Sequence, residues 1–452
     1  MSELEKLIDL AKNAAEKIRK YRFVRIVSHN DADGLTSAGI MAQALLRAGI
    51  CFQLSIAGRL DEAVIEDVNR SISRNELVIF CDMGSGQPEL IGRVEADVIV
   101  LDHHQPVGQS PAKAVVNAHL VGIDGATDLS ASGTCYLVAR ELAADNVDLA
   151  GLALAGAIGD KQLFHTANAF ILEEALKAGV VSIRKGLKVG DGDLVDVLAY
   201  STEPFLDITG YPEKVTEFLN QLGFSGKIEN LSEEKVSRLA NAVALKLVRQ
   251  ASPEAIEAVI GEVLLLNREL VRNVYDFISI LNTCGKQKIY GLAISLCLKD
   301  KEIVNEALSL KSEYEKKLTL NVRENVEKIR KGENLWYVVT ADALSTGNLA
   351  STVVRYLHPE LPFICINESE GILKVSARGT RELVSKGLDL AFALREAAGA
   401  VGGKGGGHNV ASGAAIPLGS VEEFLSIADR IIGDQLQKTG TKNQKTNIKF
   451  SE

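Results

Sequence analysis

Three short β-rich runs near the start of the chain each stop at an acidic or imidazole cluster, and this pattern constrains the fold most. Phe23–Ser28 (FVRIVS) leads into His29-Asn30-Asp31-Ala32-Asp33-Gly34. Leu77–Cys81 (LVIFC) leads into Asp82-Met83-Gly84-Ser85-Gly86, and Val98–Leu101 (VIVL) into Asp102-His103-His104. The second and third runs are apolar throughout rather than alternating, as suits strands covered on both faces. Between the runs lie helical patterns at Leu35–Ala48 and Asp61–Ser73 and a further strand-like run at Ile50–Ile56. Repeated βα units predict an α/β fold with a doubly wound parallel sheet. Sites in such sheets form at the carboxyl ends of strands, where the three clusters fall.

A fourth signal is Asp160, which closes the apolar helical run Gly156-Ala157-Ile158-Gly159. Asp31, Asp33, Asp82, Asp102 and Asp160 would then gather with His29, His103 and His104. In an extended segment His29, Asp31 and Asp33 would point to one side. Taken singly, each cluster has a plain explanation, since an Asp after a strand is ordinarily a cap or turn residue. Taken together they indicate a metal centre, because so many carboxylates cannot stay ionised close together without cations. Mixed His and Asp ligands suit Mn(II) better than Ca(II).

The 452 residues are too many for one ordinary core and predict two or three domains. With 46% apolar and 24% charged residues the composition is that of a soluble globular protein. No apolar run has the length of a membrane span, and the charged amphipathic start does not read as a signal peptide. The six cysteines are scattered, which suits buried reduced thiols in a cytoplasmic protein. A formal net charge of −9 counts weakly against a nucleic-acid binder but says nothing about a basic groove. Aromatic residues are only 5%, which is thin for stacking along a single strand.

From Val181 to Lys331 the pattern is mostly helical, with helical periodicity at Lys235–Gln250, Ala255–Leu265 and Glu269–Leu281. Leu310–Lys331 reads as a connecting helix. Strand signals return at Leu335–Thr340, Pro362–Asn367 and Leu373–Ala377, followed by helix patterns at Glu382–Ala398 and a Gly-rich loop at Gly402–Gly407. The expected boundaries are 1–180, 181–331, 332–437 and a disordered polar tail at 438–452.

The sequence resembles the DHH phosphoesterase superfamily, named for the residues that stand here as Asp102-His103-His104; His29-x-Asp31-x-Asp33, Asp82 and Asp160 match its other motifs. The resemblance implies two divalent metal ions, Mn(II) preferred and Mg(II) the alternative. On the family pattern His29 and Asp31 bind one ion, Asp33, His103 and Asp160 bind the other, and Asp82 bridges. His104 lies near the scissile phosphate and Asp102 supports the His pair. Lys404-Gly405-Gly406-Gly407-His408 is similar to the GGGH element of the DHH-associated domain, and Ser376-Ala377-Arg378 to the family's substrate-contacting Ser/Arg pair. The architecture so implied is a DHH domain, a helical insert and a smaller C-terminal α/β domain, with the active site in the cleft between.

In size and insert the chain looks most like the archaeal RecJ-like nucleases of the GINS-associated type. That likeness implies an exonuclease on single-stranded DNA or RNA in replication or repair, with the GINS complex as a partner through the insert. A phosphodiesterase of small substrates (short oligonucleotides, cyclic dinucleotides or a phosphoadenosine phosphate) stays open. A non-catalytic replication scaffold is the third reading, and the intact metal-ligand positions count against it.

Overall fold

The computed structural model describes residues 1–369 and 371–446. Among these residues the early strand runs form one sheet. Its strands are β1 (Phe23–His29), β2 (Cys51–Ala57), β3 (Leu77–Cys81), β4 (Asp97–Leu101) and β5 (Ala114–Val116), in the order β2-β1-β3-β4-β5. Every neighbouring pair is parallel. The strand order reverses at β1, which lies between β2 and β3. A crevice opens at such a reversal beyond the carboxyl ends of the strands.

The sheet is covered on both faces. Leu77, Ile79 and Cys81 join one core with residues of α1 (Glu3–Ile18) and α2 (Ala32–Arg47). Val78 and Phe80 join the other, against Ile65 and Val68 of α3 (Glu62–Ser71) and Ile91 of α4 (Pro88–Ile91). This period-2 division is why the run is apolar throughout. The helices α5 (Ala131–Leu142), α6 (Ala150–Gly159) and α7 (Thr166–Lys177) follow. Residues 32–45 of α2 are all buried, because α5, α6 and two later helices, Val274–Gln287 and Tyr290–Cys297, pack around it. Gly39 permits one of these approaches: a Cβ there would stand 2.5 Å from the Cβ of Cys297.

The chain divides into two compact units. The first comprises Met1–Arg184 and Val263–Ser312; the second comprises Lys185–Glu262 and the described residues from Glu313 onward. The stretch 181–331 is therefore not a single insert. Phe277, Ile280, Leu281 and Leu296 belong to the core that contains α2, whereas Leu187, Leu239, Val243 and Val259 share a core with Val338, Val353 and Phe363. Nor is the stretch wholly helical. Strands β6 (Val181–Leu187) and β7 (Ile260–Leu266) pair as a two-stranded sheet, so the helix expected at Ala255–Leu265 ends at Val259. A short apolar run such as VLLL fits either strand or buried helix, and here the strand forms. The expected connecting helix lies earlier, at Val304–Val326.

The second unit carries a sheet of β8 (Arg330–Lys331), β9 (Trp336–Thr340), β10 (Phe363–Ser369), β11 (Ile372–Arg378), β12 (Lys404–Gly407) and β13 (Ala411–Ile416). Its order is β12-β13-β11-β10-β9-β8. The Gly-rich segment expected as a loop is thus largely strand β12, paired antiparallel with β13. The helix patterns expected at Glu382–Ala398 form two helices, Arg381–Ser385 and Leu390–Ala400. The last helix runs from Val421 to Thr446, through the start of the stretch expected to be a disordered tail; residues 447–452 of that stretch lie outside the described residues. Among the described residues no helix is long and apolar enough to cross a membrane.

Candidate metal centre

His29 is the last residue of β1, Asp82 follows β3, and Asp102-His103-His104 follow β4. The sheet therefore delivers three clusters to one edge. Asp160 arrives separately, as the C-cap of α6. Asp33 reaches the centre differently from the expectation. It lies in the first turn of α2, not in an extended segment, so it does not share a direction with His29 and Asp31. Its carboxylate accepts the N–H groups of Ala131 at 2.7 Å and Ser132 at 2.9 Å, at the start of α5. An anion is favoured at a helix N-terminus.

Glycines make these approaches possible. A Cβ at Gly34 would collide with the carbonyl of His29, and one at Gly156 with the Asp33 carboxylate and the Ser132 hydroxyl. A Cβ at Gly125 would strike the His103 carbonyl.

The ligand-type atoms fall into overlapping groups: His29, Asp31 and Asp82; Asp33, His103 and Asp160; and Asp82, His103 and His104. Asp82 belongs to the first and the third. Its Oδ2 lies 3.3 Å from Nδ1 of His29, which is 2.9 Å from Oδ2 of Asp31. Its Oδ1 lies 3.4 Å from Nε2 of His103, which is also 3.4 Å from Oδ2 of Asp160. Asp82 holds a left-handed backbone, φ 58°. Such backbone strain in a non-glycine residue clusters at functional sites.

The two imidazoles of the His pair are held in different ways. Nδ1 of His103 donates to the Gly125 carbonyl at 2.8 Å, which leaves Nε2 facing the carboxylates. The same carbonyl accepts from Nε2 of Gln162 at 2.9 Å, and the Gln162 amide oxygen accepts from Asn168. His104 instead donates from Nδ1 to Asp102 at 2.8 Å, and its side chain is 57% exposed. Asp102 is fully buried and is occupied by the N–H groups of Ser85, His103 and His104 besides. It therefore suits a support for the His pair.

The crowded carboxylates and imidazoles shift one another's proton affinities. Burial opposes charging of His29, but Asp31 and Asp82 outweigh it and raise the ring to about 11. His103 is raised to about 11 as well, against burial, by Asp82, Asp33 and Asp160. Burial and then the Asp82 charge push Asp33 up to about 6, and burial with the neighbouring carboxylates raises Asp160 well above the usual range. Burial would raise Asp102 too, yet its hydrogen bond and charge pairing with His104 hold it well below that range.

The residues fit two divalent cations. The donors are the mixed carboxylate and imidazole set that borderline metals take. Oδ1 of Asp82 is buried with no hydrogen-bond partner among the described residues, an acceptor that a cation would satisfy. The crowded carboxylates would gain counter-charges.

The other expected residues lie in the second unit, on β11 to β13. Ser376 pairs with Gly413, which pairs with Gly406, so these share one face of the sheet. Val375 and Ala377 point to the opposite, core face. Ser376 shares a hydrogen bond with Thr346 at 2.8 Å, at the start of the helix Thr346–Tyr356; a Cβ at Gly347 would stand 3.3 Å from a terminal nitrogen of Arg378. Lys404 is exposed and alternates with Gly406 on the same side. The three glycines differ. Gly405 lies against the Leu394 carbonyl, where a Cβ would collide; Gly406 faces open space; Gly407 has φ 140°. Gly405 is thus a packing glycine, and Gly406 the one open to a ligand. His408 is exposed, its N–H donating to Ala411.

Sequence reasoning missed Ala131, Ser132 and Gly125, because backbone groups act there, and it missed Ser85, Asn117 and Gln162. Asn117 donates to the Ser85 hydroxyl and to the His104 carbonyl. It also missed Asn282, which accepts the Ala32 N–H at 3.1 Å. No local motif marks any of these positions.

Comparison with known proteins agrees with this geometry. Residues 23–157 match the DHH family, N-terminal domain, and residues 334–434 match the DHHA1 domain. An uncharacterized protein of Methanocaldococcus jannaschii is 34% identical over 448 residues, 97% of this chain and 100% of that protein. The single-stranded-DNA-specific exonuclease RecJ of Bacillus subtilis is 25% identical over 277 residues; the match spans 57% of this chain and 35% of RecJ. Among solved structures, CDC45 from Entamoeba histolytica shares the fold with a TM-score of 0.65 at 12% identity, covering 96% of this chain and 99% of that one. RecJ from Thermus thermophilus in complex with Mn2+ does so with a TM-score of 0.61 at 17% identity, covering 95% of this chain and 55% of that one. Two domain matches in the same order as the motifs, with a relative similar over the full length, place the chain: it belongs to the DHH family, as a RecJ-like phosphoesterase.

Proposed function

We propose that the chain is a Mn(II)-dependent two-metal phosphodiesterase that acts as an exonuclease on single-stranded DNA or RNA in replication or repair. The observation that carries the reading is the placement of Asp82, whose two oxygens face two different groups of ligand-type atoms. His29 and Asp31 would hold one cation, and Asp33, His103 and Asp160 the other. Two such cations, when bound, supply Lewis-acid activation of the attacking and leaving oxygens of a displacement at phosphorus. His104, oriented by Asp102 and open to solvent, would donate a hydrogen bond to the phosphoryl oxygens as charge develops. Ser376, Arg378, Lys404, Gly406 and His408 would bind the substrate phosphates, with Arg378 supplying two N–H groups. The GINS complex is the partner that goes with this reading, as the family resemblance implies.

A phosphodiesterase of small substrates is the second reading, favoured by the low aromatic content. A time course on end-labelled single-stranded DNA and RNA with Mn(II) separates the two. A ladder descending from one end supports the exonuclease. Turnover of dinucleotides with long strands left intact supports the small-substrate enzyme, and no Mn(II)-dependent cleavage of either overturns both.

A further inference from the structure

The helix Val274–Gln287 lies between the two matched domains and carries none of the motif residues, yet it packs on the metal centre. A helix leaves its first N–H groups without partners inside the helix. At the start of α2, the Gly34 N–H donates to Oδ1 of Asp31, the N-cap, at 3.0 Å. The Ala32 N–H donates to Oδ1 of Asn282, 250 residues further along the chain, at 3.1 Å. One turn on, Gly285 lies so close to the carbonyl of Asn30 that a Cβ would collide with it. One turn back, Ile278 lies 3.8 Å from where a Gly159 Cβ would stand, beside Asp160. Positions 278, 282 and 285 share one helical face. That face meets both the His29–Asp31 turn and the end of α6.

We propose that Asn282 is a positioning residue for the metal centre. It takes up the Ala32 N–H, so Asp31 caps α2 with Oδ1 alone and keeps Oδ2 directed at His29, 2.9 Å away. Without Asn282 the Ala32 N–H competes for the Asp31 carboxylate and the turn loses its fixed geometry. The inference rests on the metal-centre reading above. Partners that orient ligands in this way typically change metal affinity about 10- to 100-fold when removed.

The test uses the full chain, stripped of metal. Hydrogen exchange of the Ala32 amide is followed in the parent, in Asn282→Leu, which keeps the volume and removes the acceptor, and in Asn282→Asp, which keeps the acceptor. Mn(II) is then titrated into parent and Asn282→Leu by the EPR signal of the free ion. The expected result is slow exchange in the parent and Asn282→Asp, fast exchange in Asn282→Leu, and Mn(II) affinity about 10- to 100-fold weaker in Asn282→Leu. Parent-like affinity in Asn282→Leu overturns the proposal, as does equal exchange in the two variants. If Asn282→Leu does not fold, free exchange of Ala32 in the parent or in Asn282→Asp overturns it, and protection in both supports it. Failure of the parent itself to bind Mn(II) would count against the metal-centre reading, while the exchange result would still decide what Asn282 holds.

Discussion

Oδ2 of Asp82 lies 3.3 Å from Nδ1 of His29, and the other oxygen of the same carboxylate faces His103. One side chain thus joins the ends of β1 and β4. Asp82→Asn should fold like the parent, since Asn tolerates the left-handed backbone at φ 58°. It should lose hydrolysis by at least about three orders of magnitude, ~4 kcal/mol of barrier. Asp82→Ala should lose the same activity and about 1 kcal/mol of stability besides, from the strained backbone. Steady-state turnover and denaturant unfolding of both variants check this; near-parent turnover in a folded Asp82→Asn protein contradicts it.

The His pair should divide by function. Nε2 of His103 faces Asp82 and Asp160, whereas Nδ1 of His104 is committed to Asp102. His103→Ala is expected to lose bound metal. His104→Ala is expected to keep its metal and to lose about 10²–10³ in rate, the range for one donor to a developing oxyanion. Elemental analysis beside single-turnover rates decides; equal metal loss in the two variants is the contrary result.

Much of this centre is legible in the sequence, and what is not has a physical cause. Strands β3 and β4 show as apolar runs because they are covered on both faces, and their terminal clusters follow from parallel topology. The partners of Asp33 do not show. An alternating pattern groups it with His29 and Asp31, but α2 begins at Ala32, and a helix turns Asp33 toward Ala131, Ser132 and His103. The donors that hold it are backbone N–H groups, which carry no residue signature. Asn282 is invisible for a different reason: its contact with Ala32 spans 250 residues. Gly405 and Gly406 read alike in sequence, yet one packs against a helix and the other is open.

Arg378 should affect substrate and not metal. It lies on β11 with Ser376, in a unit that does not include the carboxylate cluster. Burial lowers the pKa of its guanidinium, so a phosphate beside it would gain from reduced screening. Arg378→Ala should weaken single-strand binding by about 10- to 100-fold, the worth of a charge-assisted hydrogen bond of ~1.5–3 kcal/mol, with metal content unchanged. Binding measured under single-turnover conditions checks it; unaltered affinity would remove Arg378 from the substrate site.

Stability should carry a pH signature from Glu269. Its carboxylate is buried, neither oxygen has a hydrogen-bond partner among the described residues, and Lys299 stands 3.6 Å away. Burial pushes the group up from 4.5 to about 7, with the Lys299 charge opposing. The folded chain thus holds this proton more tightly than the unfolded chain. The stabilisation is complete below pH 4.5 and is lost as pH rises through 7. Glu269→Gln, neutral throughout, should gain on the parent between about pH 5 and pH 8, by at most about 3 kcal/mol. Urea unfolding of both proteins at the two pH values tests this, and a difference that does not change with pH contradicts it.

The central claim is that Asp82 holds two cations together. The most direct measurement is metal content and EPR of the stripped chain reloaded with Mn(II). Two ions per chain with an exchange-coupled spectrum are expected, and Asp82→Asn should abolish the coupling. One ion per chain with full phosphodiesterase activity, or two uncoupled ions unaffected by Asp82→Asn, would contradict the account.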